Sequence, residues 1–273
     1  MPTNPTHADA IPTGAVGLDA MRPNAMRLVQ FQSPNAGHHL ACDQALLDLA
    51  DRGDAGAGEC LRVYEVPRPV VVLGIGAKFR DEIHVDACRR AGVPVHRRDS
   101  GGGTVLLDAG CLAYAVVLDM AARPELRAVR PSYRWILSRL AEACGRRGCG
   151  VEHAGISDLA WRGRKVGGSA QRRRRRFLLH HGTLLYGMDV ARMEQFLRPP
   201  PREPAYRAGR PHAAFACNLP LGREALVEAV CDAFGVAPPT PDAPPAPLDD
   251  GLHDRIRALA RERYENDAWN LRR

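Results

Sequence analysis

Apolar positions recur at helical spacing through 38–51, where Leu40, Ala41, Gln44 and Leu47 line one side before a Gly-rich break, and this predicts a first amphipathic helix. Continuous or alternating apolar runs at 61–66 and 70–74, on either side of Pro67-Arg68-Pro69, predict two strands. A short helix over 83–91 and a strand over 93–98 follow, then strands at 104–108 and 111–119 joined by Asp108-Ala109-Gly110. Residues 131–146 place Trp135, Ile136, Leu140 and Ala143 on one side and arginines on the other, which is the mark of a surface helix. Two short, partly apolar runs at 157–161 and 165–170 flank Arg162-Gly163-Arg164, a hairpin signal, and 177–186 reads as a further strand.

Towards the end the pattern becomes looser. A short helix is predicted over 190–197, an extended basic loop running over the surface at 199–212, a last strand at 213–219 and a helix at 223–234. The proline-rich stretch 236–248 reads as a semi-rigid linker to a terminal helix over 252–264 carrying Leu252, Ile256 and Leu259. Antiparallel strands interleaved with packing helices make an α+β pattern. Residues 1–26 lack periodicity and are expected to be a flexible N-terminal tail, with 27–273 forming one catalytic-sized domain. Met21 and Met26 read as candidate alternative starts.

Composition narrows the picture. The 273 residues, 45% hydrophobic, suffice for one substantial core. No apolar run approaches the roughly 20 residues of a membrane span, and the N-terminus lacks a secretory signal, so a cytoplasmic protein is expected. Eight cysteines without a CxxC pair argue against a zinc ribbon or a secreted disulfide scaffold. A net charge of +7 implies an acidic partner, while an aromatic content of only 5% gives no base-stacking platform and argues against nucleic acid.

The stretch 155–186 carries most of the chemistry. Lys165 stands near a strand start beside Gly167 and Gly168, where bare backbone lets a ligand or another chain segment approach; it is either a cation for a carboxylate, phosphate or developing anion, or a solvated lysine. His180 and His181 are adjacent in an apolar strand, so they face opposite ways, and one can enter a pocket. The five arginines 172–176 are expected at an exposed tip because their charges repel one another. A second signal is Ser100-Gly101-Gly102-Gly103, a loop able to wrap an anion or a flat ligand, or simply a flexible connection; it lacks the P-loop pattern. Arg97 and Arg98 precede it.

Taken together, HLACDQALL, RRDSGGGTVLLD with Gly110 and Tyr114, DLAWRGRKVGGSAQ, HHGTLL, Cys217-Asn218-Leu219 and YENDAWN resemble, in order, the motifs of the lipoate–protein ligase family over roughly residues 35–271. The resemblance implies a mixed, mainly antiparallel sheet flanked by helices, shared with biotin–protein ligases. It implies attachment of a lipoyl or octanoyl group to a lysine of an acidic acceptor domain through an acyl-adenylate, with ATP, Mg2+ and lipoate or octanoate consumed or bound. By the same resemblance Lys165 is catalytic, Asp158 holds magnesium, and Arg98, Ser100, Gly101, Gly102, Gly103, Gly168, Ser169, Ala170, His181, Gly182 and Thr183 line the acyl and adenylate site. The chain departs from the family at Leu107, usually histidine, and at Cys111 and Ser157, usually asparagine, which removes polar groups around the ligands. No C-terminal accessory domain is read in the sequence, so a small separate subunit becomes a possible partner.

Two other readings compete. A transferase of the same fold would carry the acyl group on a cysteine without ATP, with Cys149 the first candidate nucleophile, Cys217 the second and Cys111 the third. A basic binding module would need no catalysis.

Overall fold

A computed structural model describes residues 26–240 and 248–272. The predicted N-terminal tail, apart from Met26, and most of the proline-rich linker lie outside these residues. The described strands are β1 (Arg27–Leu28), β2 (Cys60–Tyr64), β3 (Val70–Leu73), β4 (Val95–Arg97), β5 (Val105–Leu107), β6 (Cys111–Asp119), β7 (Glu152–Ala154), β8 (Asp158–Trp161), β9 (Arg164–Arg173) and β10 (Phe177–Leu185). The helices are α1 (Ala36–Arg52), α2 (Phe79–Glu82), α3 (Val85–Arg90), α4 (Val129–Gly145), α5 (Met193–Phe196), α6 (His212–Phe215), α7 (Arg223–Ala233), α8 (Asp250–Leu259) and α9 (Asp267–Asn270). None is long and apolar enough to cross a membrane.

Seven strands form one sheet in the order β1-β2-β6-β10-β9-β8-β7, antiparallel except for β1 on β2, and β4-β3-β5 form a second, mixed sheet. This is the α+β architecture expected. The strands at 61–66 and 70–74, and those at 104–108 and 111–119, follow one another in sequence but belong to different sheets. At the second junction Gly110 adopts φ +80, and a Cβ there would sit 2.2 Å from the Gly187 carbonyl carbon, so only glycine admits the crossing.

The large sheet separates two cores. Leu112, Tyr114, Val116 and Leu118 of β6 point to a rear core under α4 and α7, with Ile136, Leu140, Leu226 and Val230. Cys111, Ala115 and Val117 point to a front core shared with α1, α8 and the small sheet. α1 is capped by the Asn35 side chain, which accepts from Gly37 N at 2.8 Å, and stops at Gly53 with φ +79. Its inner face is not purely apolar: His39, Asp43 and Gln44 are buried there.

Three expectations change, and the terminal helix is firmly seated. Residues 213–219 form α6 and a single bridge from Ala216 to Lys165, not a strand. The loop 199–212 is not a free surface segment, because Arg207 is 5% exposed and lies over the Phe215 ring while Tyr206 reaches inward. The arginine run is not a bare tip. Strand alternation sends Arg172 and Arg174 to Asp99 and Asp48, at 3.0 and 2.8 Å, and Arg173 the other way to the Arg127 carbonyl; Arg176 turns to Asp119, and the Asp51 carboxylate accepts from the Arg176 and Phe177 amides. Repulsion is relieved by distributing the cations over both faces among carboxylates. The terminal helix, finally, is pinned: Leu252, Ile256 and Leu259 are buried, Tyr264 donates to Gln44 at 2.7 Å, and Asn270 and Trp269 hydrogen-bond the Arg97 backbone.

Candidate active site

A cleft of about 140 Å³ opens on the front of the large sheet, between its centre and the small sheet. Leu40, Tyr64, Val72, Val105, Leu107 and Ala113 give it an apolar lining. Polar side chains line it as well: Ser157, Asp158, Lys165, Ser169, His181 and Thr183. A cleft lined by apolar side chains together with an ammonium suits a chain with a carboxyl or carboxyl-derived head.

Lys165 reaches this cleft because of a β-bulge. Asp158 pairs with Gly168 and Leu159 with Gly167, but Ala160 pairs with Lys165, leaving Val166 as the extra residue. Three residues apart, Lys165 and Gly168 would face opposite ways in a regular strand; the bulge puts both on the front. The Lys165 ammonium donates to Asp158 Oδ1 at 2.8 Å, and the Tyr206 hydroxyl donates to Asp158 Oδ2 at 2.9 Å. A Cβ on Gly168 would stand 2.7 Å from Lys165 Nζ, so this glycine is bare to make room for the lysine itself.

Across the cleft, the Ser-Gly-Gly-Gly loop is wound around Arg98. The guanidinium donates to the Gly101 and Gly103 carbonyls at 2.6 and 2.8 Å, to Ser100 Oγ at 2.9 Å and to the Val72 carbonyl at 3.3 Å. Gly102 at the bend has φ +85. These partners are all neutral, and burial pulls the Arg98 pKa down to about 10.

The two histidines divide as the strand dictates. His181 lines the cleft, while His180 lies behind the sheet with Tyr114 and Tyr133 at 5.9 and 5.4 Å between ring centres. Burial, with His181 and His153 nearby, lowers the His180 pKa to about 3 and keeps it neutral.

Arg98, Gly102, Gly103, Asp158, Lys165, Gly168, Ser169, Ala170, His181, Gly182 and Thr183 are thus brought together around one cleft. Ser100 stands one layer behind it, hydrogen-bonded to His181, and Gly101 is exposed beside it. The cysteines are placed differently. Cys149 and Cys217 are buried in the rear core, and burial raises both thiol pKa values. Cys111 is 1% exposed next to Thr183, and burial pushes its pKa up to about 12. Among the described residues, no cysteine lines the cleft.

Among the described residues, no three metal-ligating side chains cluster. Asp158 is the one carboxylate in the cleft lining, so the described residues form no all-protein metal cage; a magnesium ion held by Asp158 would take its other ligands from substrate phosphates and water.

Three residues escape a reading of the sequence: Tyr206, which donates to Asp158, and the buried pair Asp43 and Arg62, with Asp43 Oδ2 3.3 Å from His181 Nδ1. Tyr206 is hidden in a loop whose composition signals only surface. Asp43 did leave a trace, since it sits between Leu40 and Leu47 on the apolar stripe of α1, where a charge needs a buried partner.

Comparison with known proteins agrees with the fold. Residues 35–235 match the family model of the lipoyl protein ligase A/B catalytic domain. The chain is 27% identical over 266 residues to octanoyltransferase LipM of Geobacillus kaustophilus, covering 86% of this chain and 94% of that protein. The octanoyltransferase LipM of Carboxydothermus hydrogenoformans is 32% identical over 188 residues, covering 63% of this chain and 69% of that protein. Among solved structures, the bi-partite lipoate protein ligase of Thermoplasma acidophilum, studied with its E2 lipoyl domain, superposes with a TM-score of 0.72 at 20% identity, covering 90% of this chain and 96% of that one. A lipoate-protein ligase A bound with ATP gives 0.73 at 19% identity, covering 91% and 99%.

Proposed function

Because this chain belongs to the lipoyl protein ligase A/B catalytic-domain family, an enzyme family, we propose that it attaches a lipoyl or octanoyl group to a protein lysine through an acyl-adenylate formed in the front cleft. Membership retires the non-catalytic binding module. The observation that carries the adenylate route is the composition of the cleft wall: Lys165 faces the Ser-Gly-Gly-Gly loop there, and among the described residues no thiol joins it.

In this reading the acyl carboxylate attacks the α-phosphate of ATP and pyrophosphate leaves. The acceptor lysine amine then attacks the acyl carbonyl, AMP leaves, and an amide forms. Lys165 offers a charge where negative charge grows on carboxyl and phosphate oxygens in both steps, and it is held ready by Asp158. Magnesium would arrive with the triphosphate. The acceptor is a protein domain, and the net charge of +7 favours an acidic one. A separate accessory subunit, like that of a bi-partite ligase, is part of the same proposal.

The names of the LipM relatives favour a second reading, acyl transfer from a carrier through a thioester. It requires one of the buried cysteines to reach the cleft. Lipoate- or octanoate-dependent ATP–pyrophosphate exchange, persisting in Cys111→Ser, Cys149→Ser and Cys217→Ser, is the result expected of the ligase. Octanoyl transfer from a carrier without ATP, with a thioester on Cys149 or Cys217 and loss of transfer in that serine variant, would replace the adenylate route by the transferase.

A further inference from the structure

Behind the cleft lies a buried chain of hydrogen bonds whose direction can be fixed atom by atom. Arg98 Nε meets Ser100 Oγ at 2.9 Å, Ser100 Oγ meets His181 Nε2 at 2.6 Å, and His181 Nδ1 meets Asp43 Oδ2 at 3.3 Å. The other oxygen of Asp43 is bound by Arg62, which also contacts His39 Nδ1 at 3.0 Å. Asp43 and Arg62 are each 1% exposed, as is Ser100.

Each guanidinium can only donate. Ser100 Oγ therefore accepts from Arg98, and its one proton points to His181 Nε2. In the uncharged ring that nitrogen is then the acceptor, and the single ring proton sits on Nδ1 and is donated to Asp43. With the proton on Nε2 instead, Ser100 would face two donors with no acceptor for its own hydroxyl, and His181 Nδ1 and the Asp43 carboxylate would meet lone pair to lone pair. The arginines at the two ends thus impose one polarity on everything between them.

We propose that Asp43, held by Arg62, is a positioning residue of the acyl-transfer site: it fixes the Nδ1–H tautomer of His181 and, through it, the Ser100 hydroxyl and the Gly-rich loop wound on Arg98. Neither Asp43 nor Arg62 lines the cleft, so they act through His181, which does. The polarity is also that of a nucleophilic serine triad, but Ser100 stands behind the cleft wall and accepts from Arg98, which suits a fixed support and not an attacking group. The kinetic consequence rests on the function proposed above; the tautomer does not.

The test uses the full-length protein with 15N-labelled histidine, the His181 signals being assigned by their loss in His181→Gln. A neutral ring with protonated Nδ1 and a pyridine-like Nε2 is expected, and an Nε2–H tautomer would overturn the proposal. In Asp43→Asn the single tautomer should be lost and kcat should fall roughly ten- to a hundredfold, as for a lost hydrogen bond to a charged group. Unchanged tautomer and kcat in that variant would sink the idea. If Arg62, left facing an amide, prevents folding, Ser100→Ala serves: the wild-type tautomer should persist while kcat falls. An acyl ester found on Ser100 after exposure to an octanoyl thioester would overturn the positioning role in favour of catalysis. Absence of ATP–pyrophosphate exchange would count against the ligase reading and leave the NMR result standing.

Discussion

The two faces of the large sheet are cut from the same strands and serve opposite ends. On β6 the rear positions carry Leu112, Tyr114, Val116 and Leu118, while the front positions carry Cys111, Ala113, Ala115 and Val117. All nine residues of the strand are buried, so burial alone does not distinguish the faces. Side-chain size does. Large residues behind the sheet interlock with α4 and α7 into a close-packed layer. Small ones in front, with Gly168, Ala170 and Thr183 beside them, leave a hollow that α1 and the small sheet roof over. The same split governs polarity. His180 behind the sheet is sealed and neutral, whereas His181 in front belongs to a chain of protons that ends at the cleft.

Substitutions should separate the faces. In front, Lys165→Ala should lower acyl attachment by about a hundredfold to a thousandfold or more, the scale of losing an electrostatic stabiliser, with the thermal midpoint nearly unchanged; retained turnover in an acceptor-modification assay would remove Lys165 from the chemistry. Behind, Leu140→Ala should lower the unfolding free energy by about 2–5 kcal/mol in urea titration, while kcat measured well below the melting temperature stays close to wild type. A loss of activity without loss of stability would mean that the rear core reaches the cleft.

Acid should bear on both faces through buried imidazoles. His180 is lowered to about 3 and His39 to about 4, each chiefly by burial, so the unfolded chain binds protons that the folded one refuses. Stability from these groups is therefore complete above about pH 6.5 and is lost as pH falls towards 4 and below, at up to about 1.4 kcal/mol per pH unit for each. Urea midpoints measured from pH 7 to pH 4.5 should show this decline, and His180→Gln should make it shallower; an unchanged slope would mean His180 titrates normally. The smallest effect expected is from Ala113→Val, which narrows the hollow by two methyl groups. It should favour shorter acyl donors, read as a changed ratio of kcat/KM between hexanoate and octanoate, with little change in stability.

Much of this division is legible in the sequence. The apolar runs at 111–119 and 177–186 locate both strands, and the adjacency of His180 and His181 predicts their opposite fates. The Lys165 hairpin is legible from Arg162 and Gly163, which adopt φ 51 and 71 at its turn. The bulge at Val166 is not, because nothing in Lys-Val-Gly-Gly marks one residue as surplus. Plain strand alternation puts Lys165 and Gly168 on opposite sides. Nor can composition show that the arginine run is spread among Asp48, Asp99 and Asp119, since those carboxylates come from three distant segments. Tyr206 is hidden for a similar reason. A tyrosine between prolines and arginines says surface until a specific acceptor, Asp158, is placed beside it.

The anchoring of Arg97 to the end of the chain constrains the order in which the molecule assembles. Its guanidinium is fully buried and donates to the carbonyls of Gly74, Ala77, Asn270 and Arg272, and its amide is bonded to an Asn270 side chain 173 positions later in sequence. Contacts of such long range form late, after most of the loop entropy has already been lost elsewhere. The segment that completes the surroundings of β4 thus leaves the ribosome 173 residues after Arg97 itself. Until it arrives, the strand that leads into Arg98 and the Gly-rich loop lacks the acceptors that Asn270 and Arg272 supply. The segments that build the large sheet are therefore synthesised well before the residues that complete the corner beside the Gly-rich loop.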